Sequence, residues 1–384
     1  MSVGSDSFPE RLPVVVVGAG AMGSEWLKML SASSIAAPVG VVDLDLDLAA
    51  RTTATLGLDD VVIGSSVAEV ARLSGARAVV NVTVPQAHGV VNEEAMRAGL
   101  PMLCEKPLAP TVAEALRQVA IADITGELLM VSQSRRYFPH LTVFREAVSQ
   151  LGPLAAVRAD FFHEDHEPGF RERMAHPLLV DMSVHHFDQL RHVTGDEPVA
   201  VRCTSWNPPW SWFDGDAAAT AEFQLASGAR FAYAGSRCTP GLQTSFNSEW
   251  RVYGERGAAS WDGEETVGLD AEGTLSEPQD TPVGIAGSLA EFATALRTGT
   301  TPMNEVRSNV LSLAMVEGAI RSRDLGGERV VLADLIEQSL AQAIAAERSD
   351  DVADLLRSWT SAADGITTPA WGSALAQTAS GGAR

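Results

Sequence analysis

The sequence predicts two domains of different class. An N-terminal α/β domain with a doubly wound parallel sheet comes first, followed by an α+β domain with a mostly antiparallel sheet and flanking helices. Three observations point there. At 384 residues the chain exceeds the ~100–200 residues that one domain usually holds, so two are expected. Over its first third, apolar runs alternate with helical patterns, the grammar of right-handed βαβ units. After about residue 150, strand candidates follow one another through turn residues, the grammar of antiparallel pairing. The expected divisions are 1–138, 139–349 and a helical extension with a frayed tail over 350–384, with late helices that could pack back on the first domain.

The elements follow in order. Residues 14–17 are four valines, a run suited to a strand buried on both faces. Residues 25–30 read as the start of a helix, 39–42 as a strand and 49–56 as a helix. A strand over 78–84 is ended by Pro85, and 92–98 is helical until Gly99 and Pro101. A short strand over 102–104 precedes a helix from Thr111 to 121, where Glu114 three residues after the cap makes a capping box. Residues 128–133 form the next strand. The later strand candidates are 154–162, 199–206, 217–225, 230–236, 244–253 and 258–262, with one helix over 178–194 among them. Helices return at 287–297, 306–323 and 332–347, and 350–361 reads as one more. The small-residue tail 376–384 reads as frayed.

Composition excludes several classes. Hydrophobic residues make up 46% and charged residues 20%, which allows a sizeable core. The net charge of −21 repels nucleic acid and anionic membrane. No apolar run reaches eighteen residues, and the polar residues 1–10 lack a signal-peptide pattern. Cys104, Cys203 and Cys238 have no CxxC partner, which fits a reducing compartment. A cytoplasmic protein is expected, with neither nucleic-acid nor membrane partners.

Gly18-Ala19-Gly20-Ala21-Met22-Gly23 is a G-x-G-x-x-G that follows a buried strand and opens a helix. Gly18 allows the tight turn, Gly20 lets backbone approach a pyrophosphate, and Gly23 lets helix and strand pack closely. The helix N-terminus offers N–H groups to the anion. Asp43 ends the second strand, twenty residues after Gly23. Its carboxylate can accept both ribose hydroxyls and would repel a 2′-phosphate, so NAD is preferred over NADP. Arg51, part of a helix away, weakens that preference slightly.

Two further clusters carry chemistry. Glu105-Lys106-Pro107 directly follows a strand, at the carboxyl edge where ligands of such sheets sit. A lysine there can stabilise developing alkoxide character; the alternative is a surface lysine in a loop. On a helix, Asp181, His185 and Asp188 fall at i, i+4 and i+7 on one face, with His186 about 100° away. His185 can take a hydroxyl proton near neutral pH with Asp181 orienting it; the alternative is a structural Asp–His pair. Six of the eight histidines fall between His163 and His192. The run His163-Glu164-Asp165-His166 raises a metal site, but no HExxH or thiolate pair accompanies it, so no metal is expected. Trp206, Trp210 and Trp212 lie within seven residues, suited either to a sugar's C–H faces or to packing of the loop on itself.

Taken together, these segments resemble the Gfo/Idh/MocA oxidoreductase family. The resemblance rests on Gly18–Gly23, Asp43, Val82-Thr83-Val84-Pro85 with His88, Glu105-Lys106-Pro107, Arg135-Arg136-Tyr137-Phe138-Pro139 and the stretch from Asp181 to Asp188, in family order over most of residues 13–330. It implies an N-terminal Rossmann domain and a C-terminal open antiparallel sheet whose outer face forms subunit contacts, hence a homodimer or homotetramer. It implies that Lys106 is the catalytic lysine, and that Asp181 and His185 handle the substrate proton. Thr83, Pro85, His88 and Glu105, with Gly18, Gly20, Ala21, Met22, Gly23 and Asp43, would line the cofactor site. Arg136, His163 and Trp210 are the candidate substrate contacts. The Asp-x-x-x-His pattern most resembles inositol and sugar dehydrogenases.

The expected activity is NAD-dependent oxidation of a secondary hydroxyl of a sugar, glycoside or inositol-like cyclitol, with hydride passing to nicotinamide C4. Two alternatives stay open: a redox-assisted lyase or glycosidase that retains its NAD, and a non-catalytic NAD(H) sensor. Ser132-Gln133-Ser134 before the arginine pair, the tryptophan loop and the extension after 349 depart from the family pattern.

Overall fold

Strand β1 (Leu12–Val17) lies at the centre of a six-stranded sheet because its valines are buried on both faces. The computed structural model describes residues 10–164, 166, 168–367 and 371. The amino-terminal residues 1–9, Asp165 and the tail 376–384 lie outside the described residues. Around β1 the chain runs α1 (Ala21–Ala32), β2 (Ala36–Val42), α2 (Leu46–Thr55), β3 (Val62–Gly64), α3 (Val67–Ser74), β4 (Ala78–Asn81), α4 (Pro85–Arg97), β5 (Met102–Glu105), α5 (Val112–Thr125) and β6 (Leu129–Ser132). The strands pair in parallel in the order β3-β2-β1-β4-β5-β6. Strand order therefore reverses at β1, and the loops after β1 and β4 flank the crevice that this topology creates.

Local chemistry sets the ends. Thr111 caps α5 by accepting the Glu114 N–H, and Gly126 closes it at φ +73°. Strand β4 stops at Asn81, short of the expected 84. The Asn81 side chain accepts both the N–H and the hydroxyl of Thr83, which turns the chain out of the sheet. Pro85 then opens α4 instead of ending a strand, because a first-turn proline lacks only an N–H that would have no helical partner.

After α6 (Pro139–Ser149) comes an eight-stranded sheet. Its strands are β7 (Leu154–Phe162), β8 (Pro198–Trp206), β9 (Ala218–Leu225), β10 (Arg230–Ser236), β11 (Glu249–Gly254), β12 (Gly257–Trp261), β13 (Val267–Ala271) and β14 (Val330–Val331), in the order β13-β12-β11-β7-β10-β9-β8-β14. Every neighbouring pair is antiparallel except β7 with β10. The expected strand over 244–253 begins only at Glu249, since Leu242 and Ser248 hold positive φ and leave that stretch a loop. Helix α7 (Val184–Thr194) seats on the covered face. Phe187 meets Phe223 and Tyr233 edge-on at 4.8 and 5.3 Å, each contact worth ~0.5–1.5 kcal/mol beyond burial.

The later helices are α8 (Ile285–Thr298), α9 (Val306–Asp324), α10 (Leu332–Ala346), α11 (Asp350–Ser358) and α12 (Ala362–Thr367). The chain forms two compact units. The first comprises Met1–Ser132 with Ile285–Val310 and Leu340–Arg384; the second comprises Gln133–Gly284 with Leu311–Ser339. Among the described residues, no helix is long and apolar enough to cross a membrane.

Candidate active site

The first unit builds a dinucleotide cradle. Gly18 adopts φ +104° and donates its N–H to the Val42 carbonyl, tying the turn to β2. A Cβ on Gly23 would meet the Gly18 carbonyl oxygen at 1.9 Å, so α1 can approach the turn only with glycine there. A Cβ on Gly20 would meet nothing within 4 Å, which leaves open space over the turn. Ala21 and Met22 begin α1, and Gly20 at its amino end supplies no side-chain cap. Asp43 is held from two sides: the Ala19 N–H donates to Oδ2 at 2.7 Å and the Asp45 N–H to Oδ1 at 2.9 Å. Each carboxylate oxygen keeps a lone pair, so the group can still accept ribose hydroxyls. These residues fit a dinucleotide.

Glu105 and Lys106 sit at the carboxyl end of β5. Trp26 of α1 donates its indole N–H to Glu105 at 2.9 Å, and the Lys106 N–H donates at 3.2 Å. Burial pushes the Glu105 carboxyl above its ordinary range, opposed by the Trp26 bond and the Lys106 charge. The Lys106–Pro107 peptide is cis. His88, expected to line the nicotinamide half, is buried, with ring nitrogens 2.8 Å from the Pro107 carbonyl and 3.0 Å from that of Thr83. The ring joins the turn after β4 to the turn after β5. Burial lowers its pKa, opposed by those two carbonyls. Thr83 and Pro85 occupy the turn that His88 braces.

The second unit brings Asp181 and His185 to the start of α7, where both are buried. Here the spacing argument needs correction. Residues Leu178–Ser183 form a π-helical turn, so Asp181 does not hold the α-helical i, i+4 relation to His185. Such wide turns are frequent at functional sites. Asp181 Oδ2 accepts from Arg171 Nε at 2.9 Å and from Arg237 Nη1 at 2.7 Å. Arg237 also lies 5.3 Å over the Phe213 ring. Neither arginine carried a sequence signal, because both come from outside the helix.

Asp188 does not join Asp181. Arg136 donates to it bidentately at 2.7 and 2.8 Å, and the Ser312 hydroxyl donates at 2.7 Å. Burial opposes the Asp188 charge, but Arg136 and Arg191 outweigh it and hold the carboxyl below its ordinary range. Arg136, expected on the substrate, is thus a buried brace of α7. His186 turns into the core as its angular offset predicts. Its Nε2 donates to the Phe246 carbonyl at 3.0 Å, and Nδ1 accepts from the Tyr233 hydroxyl at 3.1 Å. Burial raises the Tyr233 phenol, which keeps its proton.

His163 packs its ring 4.1 Å from that of Phe246, and its buried Nδ1 has no hydrogen-bond partner among the described residues. Trp210 donates its indole N–H to the Cys238 carbonyl at 2.8 Å and leaves its ring largely exposed, at 63%. The loop that carries it is fastened to the Arg171 segment. Asp214 N–H donates to the Glu172 carbonyl and Asp216 N–H to that of Ala175. Gly215 presses so close to Ala175 that a Cβ would meet its carbonyl oxygen at 2.2 Å. His166 stacks on Trp212 at 4.5 Å and pairs with Glu172. The tryptophan loop therefore belongs to the Asp181 neighbourhood, a placement that no spacing in the sequence indicates. Among the described residues, no group of three or more His, Cys, Asp or Glu is arranged to hold a metal ion.

Comparison with known proteins agrees with this architecture. The model of an oxidoreductase family with an NAD-binding Rossmann fold matches residues 12–133, and the model of the GFO/IDH/MocA C-terminal domain matches residues 145–260. Inositol 2-dehydrogenase 1 of Paenarthrobacter aurescens is 30% identical over 203 residues, 52% of this chain and 59% of that protein. The match thus spans little more than half the length of that relative. An oxidoreductase from Agrobacterium radiobacter, solved with NAD+, L-tartaric acid and magnesium, superposes with TM-score 0.74 at 18% identity, covering 85% of this chain and 99% of that one. A putative myo-inositol dehydrogenase from Sinorhizobium meliloti gives TM-score 0.70 at 22% identity, covering 84% and 100%. At these identities the superpositions speak to the fold.

Proposed function

The chain belongs to the Gfo/Idh/MocA oxidoreductase family and carries its NAD-binding Rossmann domain, and from that premise we propose that it oxidises a secondary hydroxyl of a sugar, glycoside or inositol-like cyclitol. The observation that supports this most is the setting of Lys106. It follows β5 at the carboxyl edge of the nucleotide sheet, on a turn fixed by the Trp26–Glu105 bond and by His88. The relatedness to inositol 2-dehydrogenases supports the polyol class.

Bound NAD supplies the hydride acceptor at nicotinamide C4. The chain's own residues do the rest. Gly18, Gly20 and Gly23 admit the pyrophosphate, with Ala21 and Met22 presenting backbone N–H groups. Asp43 holds the adenosine ribose and disfavours a 2′-phosphate. Thr83, Pro85 and Glu105 shape the turns beside the nicotinamide. His185 takes the hydroxyl proton, with Asp181 stabilising the imidazolium that results. The Lys106 ammonium stabilises the alkoxide as it forms. His163 and Trp210 meet the substrate, the exposed indole against a C–H face. Arg136 acts indirectly, by keeping α7 and hence His185 in place. A cytoplasmic homodimer or homotetramer joined through the open sheet face is part of the same reading.

The test is a panel of inositols, monosaccharides and glycosides assayed with NAD for absorbance at the NADH wavelength. Steady net NADH formation from at least one polyol is expected. Product formation with no net NADH would instead favour elimination or glycosidic cleavage with retained cofactor. Cofactor binding without any conversion would favour a sensor.

A further inference from the structure

The surroundings of Asp181 hold more positive charge than a neutral sugar needs. Arg171 and Arg237 both donate to the same carboxylate oxygen, Oδ2. Arg171 does so through Nε, its guanidinium lies 4.9 Å over the Phe170 ring, and a third of its side chain is open to solvent. Arg135 adds a third guanidinium. Its Nη1 donates to the Phe246 carbonyl and to the Asn247 amide oxygen, both neutral acceptors. The opposite charges that act on it come from Asp181 and Glu264, and Glu264 is itself bonded to Ser245. Burial lowers Arg135 to about 10, which still leaves it charged at pH 7. Arg135 is half-buried and bonds only neutral acceptors, and a guanidinium is the side chain best shaped to grip a carboxylate with two parallel N–H bonds.

This concentration of cations stands out in a chain of net charge −21. Long-range attraction of an anion is therefore weak or unfavourable, so a local arginine pair would have to supply the selectivity. The segment that presents Arg171 is also built rather than loose. Glu172 and Ala175 are tied by backbone hydrogen bonds to Asp214 and Asp216, and Gly215 packs directly on Ala175. A guanidinium held on such a segment loses little freedom when a ligand docks.

We propose that the site selects a polyhydroxylated carboxylic acid, a uronic or aldonic acid, with the carboxylate taken by Arg171 and Arg135. The inference rests on the reading that Asp181 and His185 hold the substrate hydroxyl. The carboxylate is a spectator. The secondary alcohol still becomes a ketone, its hydride going to NAD and its proton to His185.

The experiment is calorimetric titration of the full chain in the presence of NADH, with D-glucuronate and with D-glucose, at 50 and 300 mM NaCl. Glucuronate should bind at least tenfold tighter than glucose, and only glucuronate should weaken as salt rises. In Arg171→Gln the acid-to-neutral ratio should fall towards one. Arg171→Lys, which keeps the charge but not the planar fork, should fall between. Equal affinity of the two ligands for the wild type, binding of neither, or an unchanged ratio in Arg171→Gln overturns the inference. Turnover of neutral polyols with no preference for the acid sinks this inference and leaves the polyol dehydrogenase reading standing. Acid-selective, Arg171-dependent binding with no NADH formed from any hydroxyl compound does the reverse.

Discussion

Replacing Arg136 with methionine separates a brace from a substrate contact. Arg136 and Asp188 form a bidentate pair at 2.7 and 2.8 Å, with side chains 6% and 2% exposed. Removing the guanidinium leaves a carboxylate buried beside Ser312 and Arg191, which cannot match the lost fork. Breaking one partner of a buried pair typically costs ~3–5 kcal/mol. In a unit of this size each kcal/mol moves the midpoint by roughly 2–4 °C, so Arg136→Met should melt about 6–20 °C lower. Replacing both partners removes the stranded charge, so Arg136→Met/Asp188→Leu should regain more than half of the loss. Differential scanning calorimetry reads the stability, and NADH-monitored kinetics read the site. A variant that melts like the wild type but shows a raised KM would refute the brace and return Arg136 to the substrate.

Three further outcomes follow from the same geometry. Lys106→Met should lower kcat by at least ~100-fold while leaving NADH affinity, read by fluorescence titration, within about twofold; unchanged turnover would remove Lys106 from the chemistry. Asp43→Ser should weaken NAD by roughly 10–100-fold, as expected for losing hydrogen bonds to a charged acceptor, with little loss for NADP; equal losses for both cofactors would mean that Asp43 only props the Ala19 turn. His192 sets a pH dependence. Burial, with help from Arg136 and Arg145, depresses its pKa to about 3, so between that value and the ordinary 6.5 the unfolded chain binds the extra proton. Stability should therefore fall as pH drops below 6.5, by about 2 kcal/mol between pH 7 and 5 from this group. His192→Gln should flatten that part of a urea-unfolding profile, and an unchanged slope would place the acid sensitivity elsewhere.

The legible parts of the fold were those that one residue's neighbours in sequence decide. The valine run of β1, the cap at Thr111 and the glycine turn all rest on local chemistry, and all three stand in the structure. The short edge strand β3 and the helix α3 have no counterpart among the sequence expectations, although Ser66 caps α3 by accepting the Glu69 N–H, the same signal as at Thr111. Three residues in a half-exposed edge strand carry too little periodicity to register. In the candidate site, spacing placed Asp181 and His185 on one element but assumed an α-helical pitch, which the π-helical turn does not keep. The partners that define the site's charge come from elsewhere: Arg171 lies ten residues before Asp181 and Arg237 fifty-six after it. Only tertiary packing relates such positions.

Strand β7 is flanked by β10 and β11, with its parallel neighbour beginning at Arg230. Roughly 70 residues separate the end of β7 from that neighbour, and synthesis at ~5–20 residues per second leaves it with neither partner for about 4–14 s. During that interval a largely apolar ribbon with two open edges leaves the ribosome ahead of the segments that complete it. Expression yield should therefore respond to synthesis rate and to chaperone supply more than the stability of the finished sheet would suggest.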